Sequence, residues 1–193
     1  MAVSTPTPDD IAELLLSCRY GDTEDIQHFI TRFGPAPLND ARDDNRNTVL
    51  HMVCANGHTD ALDLLLPLVA PPLLAAQNAA QSTALHWAAL NRHLAVAQRL
   101  VRHPGGPGID LIDLKNGAGR SPLGEAENAG WEEGAKWFVE VMHLDEGAKE
   151  DELHPAEGPE SIEVEIQDAE GQVAKMTIGQ PTPDVMPPSS VTT

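Results

Sequence analysis

An all-α fold of about four stacked helix-turn-helix repeats is predicted by three observations. First, a unit of about 35 residues recurs: Gly21 and Gly57 lie 36 apart and Thr48 and Thr83 lie 35 apart, each pair inside matching apolar patterns. Second, the side chains are 41% hydrophobic but only 4% aromatic, so a core must be built mainly from Leu, Ala, Val and Ile, which suits close-packed helices better than a sheet sandwich. Third, polar and Pro/Gly-rich stretches such as Asn39 to Asn47 and Pro104 to Gly108 separate the units and have the composition of turns. A chain of 193 residues holds one such core plus appended polypeptide.

Residues 1–8 are small, polar and Pro-containing and read as a flexible lead-in. In the first repeat, over about 9–37, Asp9 and Asp10 complement a helix N-terminus, and IAELLLSCRYGDTEDIQHFI gives two helices around a turn at Gly21. Aligning Gly21 with Gly57 places Leu14 on Leu50 and Cys18 on Cys54, but no Thr-x-x-His is present, as expected of a terminal repeat. The second repeat, about 43–73, contains the clearest copy, TVLHMVCANGHTDALDLLL. The third, about 78–108, repeats it as STALHWAALNRHLAVAQRLV, with Arg92 where Gly57 stood and hence backbone strain expected there. The loop PLVAPP, Pro67 to Pro72, has room for the residues by which this spacing exceeds the usual period. In the fourth, about 116–144, Ser121-Pro122-Leu123 opens the unit, Gly124 takes the His position and Gly130 restores the turn. Gly124 and Gly134 each weaken a helix by about 1 kcal/mol relative to Ala, so this repeat is expected to be the softest.

Residues 145–193 form a different region. They carry 12 of the 30 acidic and 2 of the 12 basic residues, a net −10 of the chain's −18. Within them, IEVEI and VAKMTI flank a turn sequence and form a candidate β-hairpin over 162–178, and the Pro-rich end reads as a disordered tail. The acidic balance disfavours nucleic acid as a direct partner and favours a basic protein. The longest apolar run is broken by Asp63 and three prolines, so no membrane span is expected. Cys18 and Cys54 sit in apolar helical patterns with no disulfide framework and no secretory signal, which points to a reducing compartment, cytoplasm or nucleus.

The Thr-x-Leu-His opening, the small residues Val53 and Cys54, the turn glycine Gly57 and the block Leu62 to Leu66 together resemble the ankyrin repeat, whose signature is Thr-Pro-Leu-His-x-Ala within about 33 residues. The resemblance covers about residues 10–143 and implies an ankyrin-repeat solenoid that binds protein rather than catalyses a reaction. It also implies that His51 and His86 bond neighbouring backbone, and that Cys18 and Cys54 are spacers for close helix contact. No Walker loop, GxSxG, HExxH or CxxC is present, so no catalytic residue, metal ligand or cofactor is assigned. Trp87 is expected in the core. Trp131, beside Gly130 on the last repeat, is expected at the surface, covered by a partner or by the extension.

Stacked repeats place their turn tips and the ends of their first helices on one concave side. Asp43, Asp44, Asn45, Asn47, Ala80, Ser82 and Arg120 are therefore expected to project in a row, with Tyr20, Asn56, Asn91 and Asn128 lining the groove behind and Trp131 as a further partner-binding residue. A narrower resemblance rests on the four-unit array with weak first and last repeats, the run CANGHTDALDLLLP and the acidic extension. Together these are similar to the fungal ankyrin-repeat chaperones dedicated to small-ribosomal-subunit protein three. That resemblance implies a monomer, in cytoplasm and nucleus, that shields a newly made basic ribosomal protein without touching nucleic acid or membrane itself. The alternative is an adaptor that regulates an enzyme or transcription factor.

Overall fold

The computed structural model of the chain describes residues 5–153, 162–167 and 173–178. It divides into two compact units, Met1–Ala148 and Lys149–Thr193. Residues 8–153 hold four helix pairs. They are α1 (Pro8–Tyr20) with α2 (Thr23–Phe33), α3 (Val49–Asn56) with α4 (Thr59–Leu65), α5 (Ala84–Leu90) with α6 (Leu94–Val101), and, after a one-turn helix α7 (Asp110–Asp113), α8 (Pro122–Asn128) with α9 (Glu132–Leu153).

Each first helix begins where a hydroxyl side chain caps it. Thr7 forms a reciprocal capping box with Asp10 at the start of α1, Thr48 and Thr83 pair with His51 and His86 in the same way, and Ser121 accepts the Gly124 N–H. Two of these helices end at left-handed glycines: Gly21 after α1 and Gly57 after α3 have φ of +73° and +77°. The helices α1, α3, α5 and α8 pack against one another in that order, and α2, α4 and α6 form a second layer behind them.

The core lies between these layers and runs the length of the array. Leu14, Leu50 and Leu85 occupy one register and are all but fully buried, as are Leu62, Leu65 and Leu100 in the outer layer. Truncating any one of them to Ala removes about 2–5 kcal/mol. The linking segments are more than loops. Short 3₁₀ helices at Ala36–Asn39 and Pro71–Ala75, and α7 in the third link, bury Leu38, Leu73, Leu74, Leu111 and Ile112 under the array. Within the loop expected over Pro67 to Pro72, Val69 is buried and also contributes to the core.

In the second unit, β1 (Ile162–Gln167) pairs antiparallel with β2 (Val173–Ile178), Ile162 opposite Ile178 and Gln167 opposite Val173. The turn sequence between them and the Pro-rich tail lie outside the described residues.

Candidate functional site

Three projecting turns are built alike, and the reason is a polar residue five positions before each hydroxyl cap. Asp43, Asn78 and Asn116 each accept a backbone N–H across their own turn, from Asn47 at 2.7 Å, Ser82 at 3.0 Å and Arg120 at 3.1 Å. The turns close through left-handed residues Arg46, Gln81 and Gly119. They are then tied to one another. The Ala79 N–H donates to the Asn45 carbonyl at 2.8 Å, the Gly117 N–H to the Ala80 carbonyl at 2.9 Å, and Asn78 Nδ2 to Asn47 Oδ1 at 2.7 Å. Asn78 is buried and makes three such bonds, so Asn78→Ala is expected to lower stability by about 2 kcal/mol, read from the urea unfolding midpoint.

Below the turns a histidine ladder runs in the same direction. His51 Nδ1 accepts the Thr48 N–H at 3.2 Å, which fixes the proton on Nε2, and Nε2 donates to the Ser82 carbonyl of the next repeat at 2.8 Å. His86 repeats the arrangement, with Nε2 3.0 Å from the Arg120 carbonyl. Burial lowers the pKa of both rings from the ordinary histidine value. A second ladder at the inter-helix turns runs back the other way: His58 Nε2 reaches the Arg19 carbonyl at 2.9 Å and His93 Nε2 the Ala55 carbonyl at 3.2 Å. All four side chains are spent on structure.

The expected partner-binding residues separate into two kinds. Asp44, Asn45, Ala80, Arg120, Tyr20, Asn56, Asn91 and Asn128 are exposed, with Tyr20 at 71%. Several of the polar ones are nevertheless committed within the protein. Asn56 Nδ2 donates to the Met52 carbonyl at 2.8 Å, Asn91 Nδ2 to the Ala55 carbonyl at 2.7 Å, and the Arg120 guanidinium pairs with the buried Glu125 carboxylate at 3.0 Å. Asp43 and Asn47 are half-buried and bond each other through Asn47 Nδ2 at 2.9 Å, and the Ser82 carbonyl receives His51. These three hold the turns together.

What the polar residues frame is an apolar groove along the first helices. Its widest part, about 860 Å³, lies between α1 and the Ala36–Asn39 turn, with Leu15, Leu16 and Met52 on its floor and Asp40 and Asp44 on its rim. Met52 also borders the next hollow, about 330 Å³, beside Asn47, Asn56 and Asn91. Trp87 borders that hollow and the third, about 420 Å³, beside Ala80, Leu90 and Arg120. Of the four exposed large hydrophobics among the described residues, Leu16 (51%), Tyr20 and Leu90 (41%) belong to these first helices. An apolar strip of this kind inside a polar frame is the surface of a protein-binding site.

Both tryptophan expectations need correction. Trp87 is half-buried at the groove, its indole N–H enclosed without an acceptor among the described residues, and is not part of the core. Comparing registers along the first helices reveals it: Leu16, Met52 and Trp87 are equivalent positions, 36 and 35 residues apart. Trp131, expected at the surface as a partner-binding residue, is only 6% exposed and stacks edge-on to Phe138 with ring centres 6.3 Å apart. Gly134 is the reason. A Cβ there would lie 2.1 Å from the indole, so the glycine lets the ring lie flat against α9. The signal was present as Trp-x-x-Gly.

Cys18 and Cys54 are buried free thiols, and burial raises the pKa of both, that of Cys18 to about 12, so neither is a nucleophile at neutral pH. Among the described residues no group of three His, Cys, Asp or Glu is placed to hold a metal, and no helix is long and apolar enough to cross a membrane.

Comparison with known proteins agrees with this geometry. The chain is similar to the chaperone Yar1 as solved in the crystal structure of the yeast ribosomal protein Rps3 in complex with it: TM-score 0.65, 26% identity, with 79% of this chain and 100% of that one covered. No curated protein sequence matches. The family model for ankyrin repeats, in three copies, matches residues 14–113. The repeated capped helix pairs, the histidine ladder and this match make the chain a member of the ankyrin-repeat family, with a protein-binding, non-catalytic fold.

Proposed function

We propose that this protein is a dedicated chaperone for a newly made basic ribosomal protein of the small subunit, the counterpart of Rps3. It covers the client's basic, RNA-binding surface, keeps it soluble in the cytoplasm and accompanies it to ribosome assembly in the nucleus. The observation that carries this reading is the likeness to the Rps3 chaperone Yar1 across the whole of that chain. The charge supports it: at −18, the protein attracts basic partners and repels RNA. Capture uses no nucleotide and no covalent step. Release follows when ribosomal RNA offers the client a better surface.

The test is to express the small-subunit protein with and without this chain and to measure complex formation in the presence of competing RNA. Soluble, stoichiometric complex that RNA displaces is the expected result; a client that stays insoluble, or a complex indifferent to RNA, overturns the reading. Asp40→Lys with Asp44→Lys reverses two exposed rim charges without touching the turn bonds of Asp43. Association at low salt should slow by about tenfold in that variant and converge with the wild type at high salt.

A further inference from the structure

A hydroxyl residue stands directly before proline at Thr5, Thr7, Ser121 and Thr182, and the first three of these lie among the described residues. Such a pair is what proline-directed protein kinases modify. Their clefts take the acceptor as extended chain with its hydroxyl free. The proline helps, because it biases the residue before it towards extended backbone and has no N–H to satisfy.

Thr7 and Ser121 fail that requirement, because both are helix caps. Pro8 and Pro122 are the first residues of α1 and α8, so the backbone that would have to enter a cleft is already wound into a helix. The Thr7 hydroxyl donates to Asp10 Oδ2 at 2.6 Å while accepting the Asp10 N–H at 3.2 Å. A phosphate there would break this capping box and meet the carboxylates of Asp9 and Asp10 in the first turn. Ser121 Oγ accepts the Gly124 N–H at 3.2 Å, and Pro122 is buried. Thr5 escapes all of these conditions. It is exposed, lies outside any helix, and its hydroxyl has no hydrogen-bond partner among the described residues.

Its position gives the modification an effect. Thr5 and Pro6 border the same hollow of about 860 Å³ as Asp40 and Asp44. Arg19 and Arg42 border it too, but the Arg42 guanidinium is committed to the Asn39 and Ala41 carbonyls at 3.0 and 2.8 Å. Arg19 is left to meet an added charge. A phosphothreonine carries about −1.5 to −2 at neutral pH, more than one guanidinium balances, so the rim becomes more acidic.

We propose that Thr5 is the acceptor site of a proline-directed protein kinase and that its phosphate strengthens the capture of a basic partner. The Thr5 hydroxyl oxygen forms a bond to the γ-phosphorus of ATP, and the bond from that phosphorus to the bridging oxygen breaks. ADP leaves with the electron pair, and the hydroxyl proton passes to the kinase's catalytic base. The effect on capture rests on the reading of the groove as the site for a basic protein client; the choice of Thr5 over Thr7 and Ser121 does not.

The experiment incubates the full-length chain with a mitogen-activated protein kinase and magnesium ATP and maps phosphate over time by mass spectrometry. A synthetic peptide of residues 1–12, too short to hold α1, runs beside it. In the peptide Thr5 and Thr7 should be modified at rates within about threefold. In the protein Thr5 should be modified about tenfold faster than Thr7 or Ser121, which must first uncap their helices. Equal rates at Thr5 and Thr7 in the protein, or a protein that takes no phosphate at Thr5, overturns the assignment. Kinase-treated wild type and kinase-treated Thr5→Ala then differ only at this site. At low salt a labelled Lys-rich peptide should associate with the former about threefold faster, the difference vanishing at high salt. Equal rates overturn the effect on capture.

The basic ribosomal protein, titrated in parallel, keeps the two readings apart. If Thr5 takes phosphate and speeds the Lys-rich peptide while the ribosomal protein fails to bind, the proposed function fails and the site stands. If the ribosomal protein binds but Thr5 takes no phosphate, the site fails and the proposed function stands.

Discussion

Gly57→Ala is expected to destabilise the protein by about 3 kcal/mol, from two separable causes. The residue has φ of +77°, where a Cβ costs about 1–2 kcal/mol. That Cβ would also lie 2.6 Å from the His93 ring, and forcing the ring aside costs a further 1–3 kcal/mol, roughly what overpacking costs elsewhere. His93 cannot yield freely, since its Nε2 holds the Ala55 carbonyl. A double variant with His93→Ala isolates the second cause: the clash disappears and only the backbone term and the lost bond remain. Equilibrium urea unfolding of the two single variants and the double measures the coupling, and additive losses would sink the steric part of the account. The third repeat supplies a natural comparison. Arg92 occupies the equivalent turn at φ +64°, Trp131 takes the register position of His93 in the fourth repeat, and the Arg92 side chain donates to the Ala129 carbonyl.

Acidification should weaken the fold through His51 and His86. Burial depresses the pKa of both in the folded state, whereas unfolding returns them to about 6.5. Between these values the unfolded chain binds more protons, so the stability that the neutral rings contribute is present above about pH 6.5 and is lost as pH falls through the folded pKa values. The chemistry is local. Nδ1 of His51 accepts a hydrogen bond from the Thr48 N–H, and a protonated ring would turn donor against donor. Two such groups give a slope of up to about 2.7 kcal/mol per pH unit. Urea midpoints at pH 7.5, 6.5 and 5.5 should fall steeply in the wild type and much less in His51→Gln/His86→Gln. A flat wild-type profile, or an equal slope in the double variant, would refute the assignment.

The repeat architecture was legible because it is written as spacing. Thr48, His51 and Gly57 recur 35 or 36 residues away, and one alignment places caps, ladders and turns together. The structural role of His51 and His86 was implied by the ankyrin resemblance, and the exposure of Tyr20, Asn56 and Asn91 by their place at the ends of the first helices. What the motif hid was the distinction between polar residues that face a partner and those already satisfied at home. Asn47 and Asn56 have the same composition and the same concave location, yet their amides end on Asp43 and on the Met52 carbonyl, which only coordinates reveal. Trp131 was misread for a different reason. Its burial depends on the missing side chain of Gly134, in the first turn of α9 three residues after Trp131, where glycine ordinarily signals weakness. Trp87 was misread because a large apolar residue beside a core histidine looks like core until its repeat equivalents, Leu16 and Met52, are set beside it.

The two histidine ladders run in opposite senses across the seam between the second and third repeats, His51 reaching forward to Ser82 and His93 reaching back to Ala55. Neither repeat can slide or tilt against its neighbour without breaking one of them. The array is thereby a rigid gauge: the interval between its apolar anchors is set before any partner arrives. Little conformational entropy then remains to be lost on this protein's side when a complex forms, and the ordering falls on the partner.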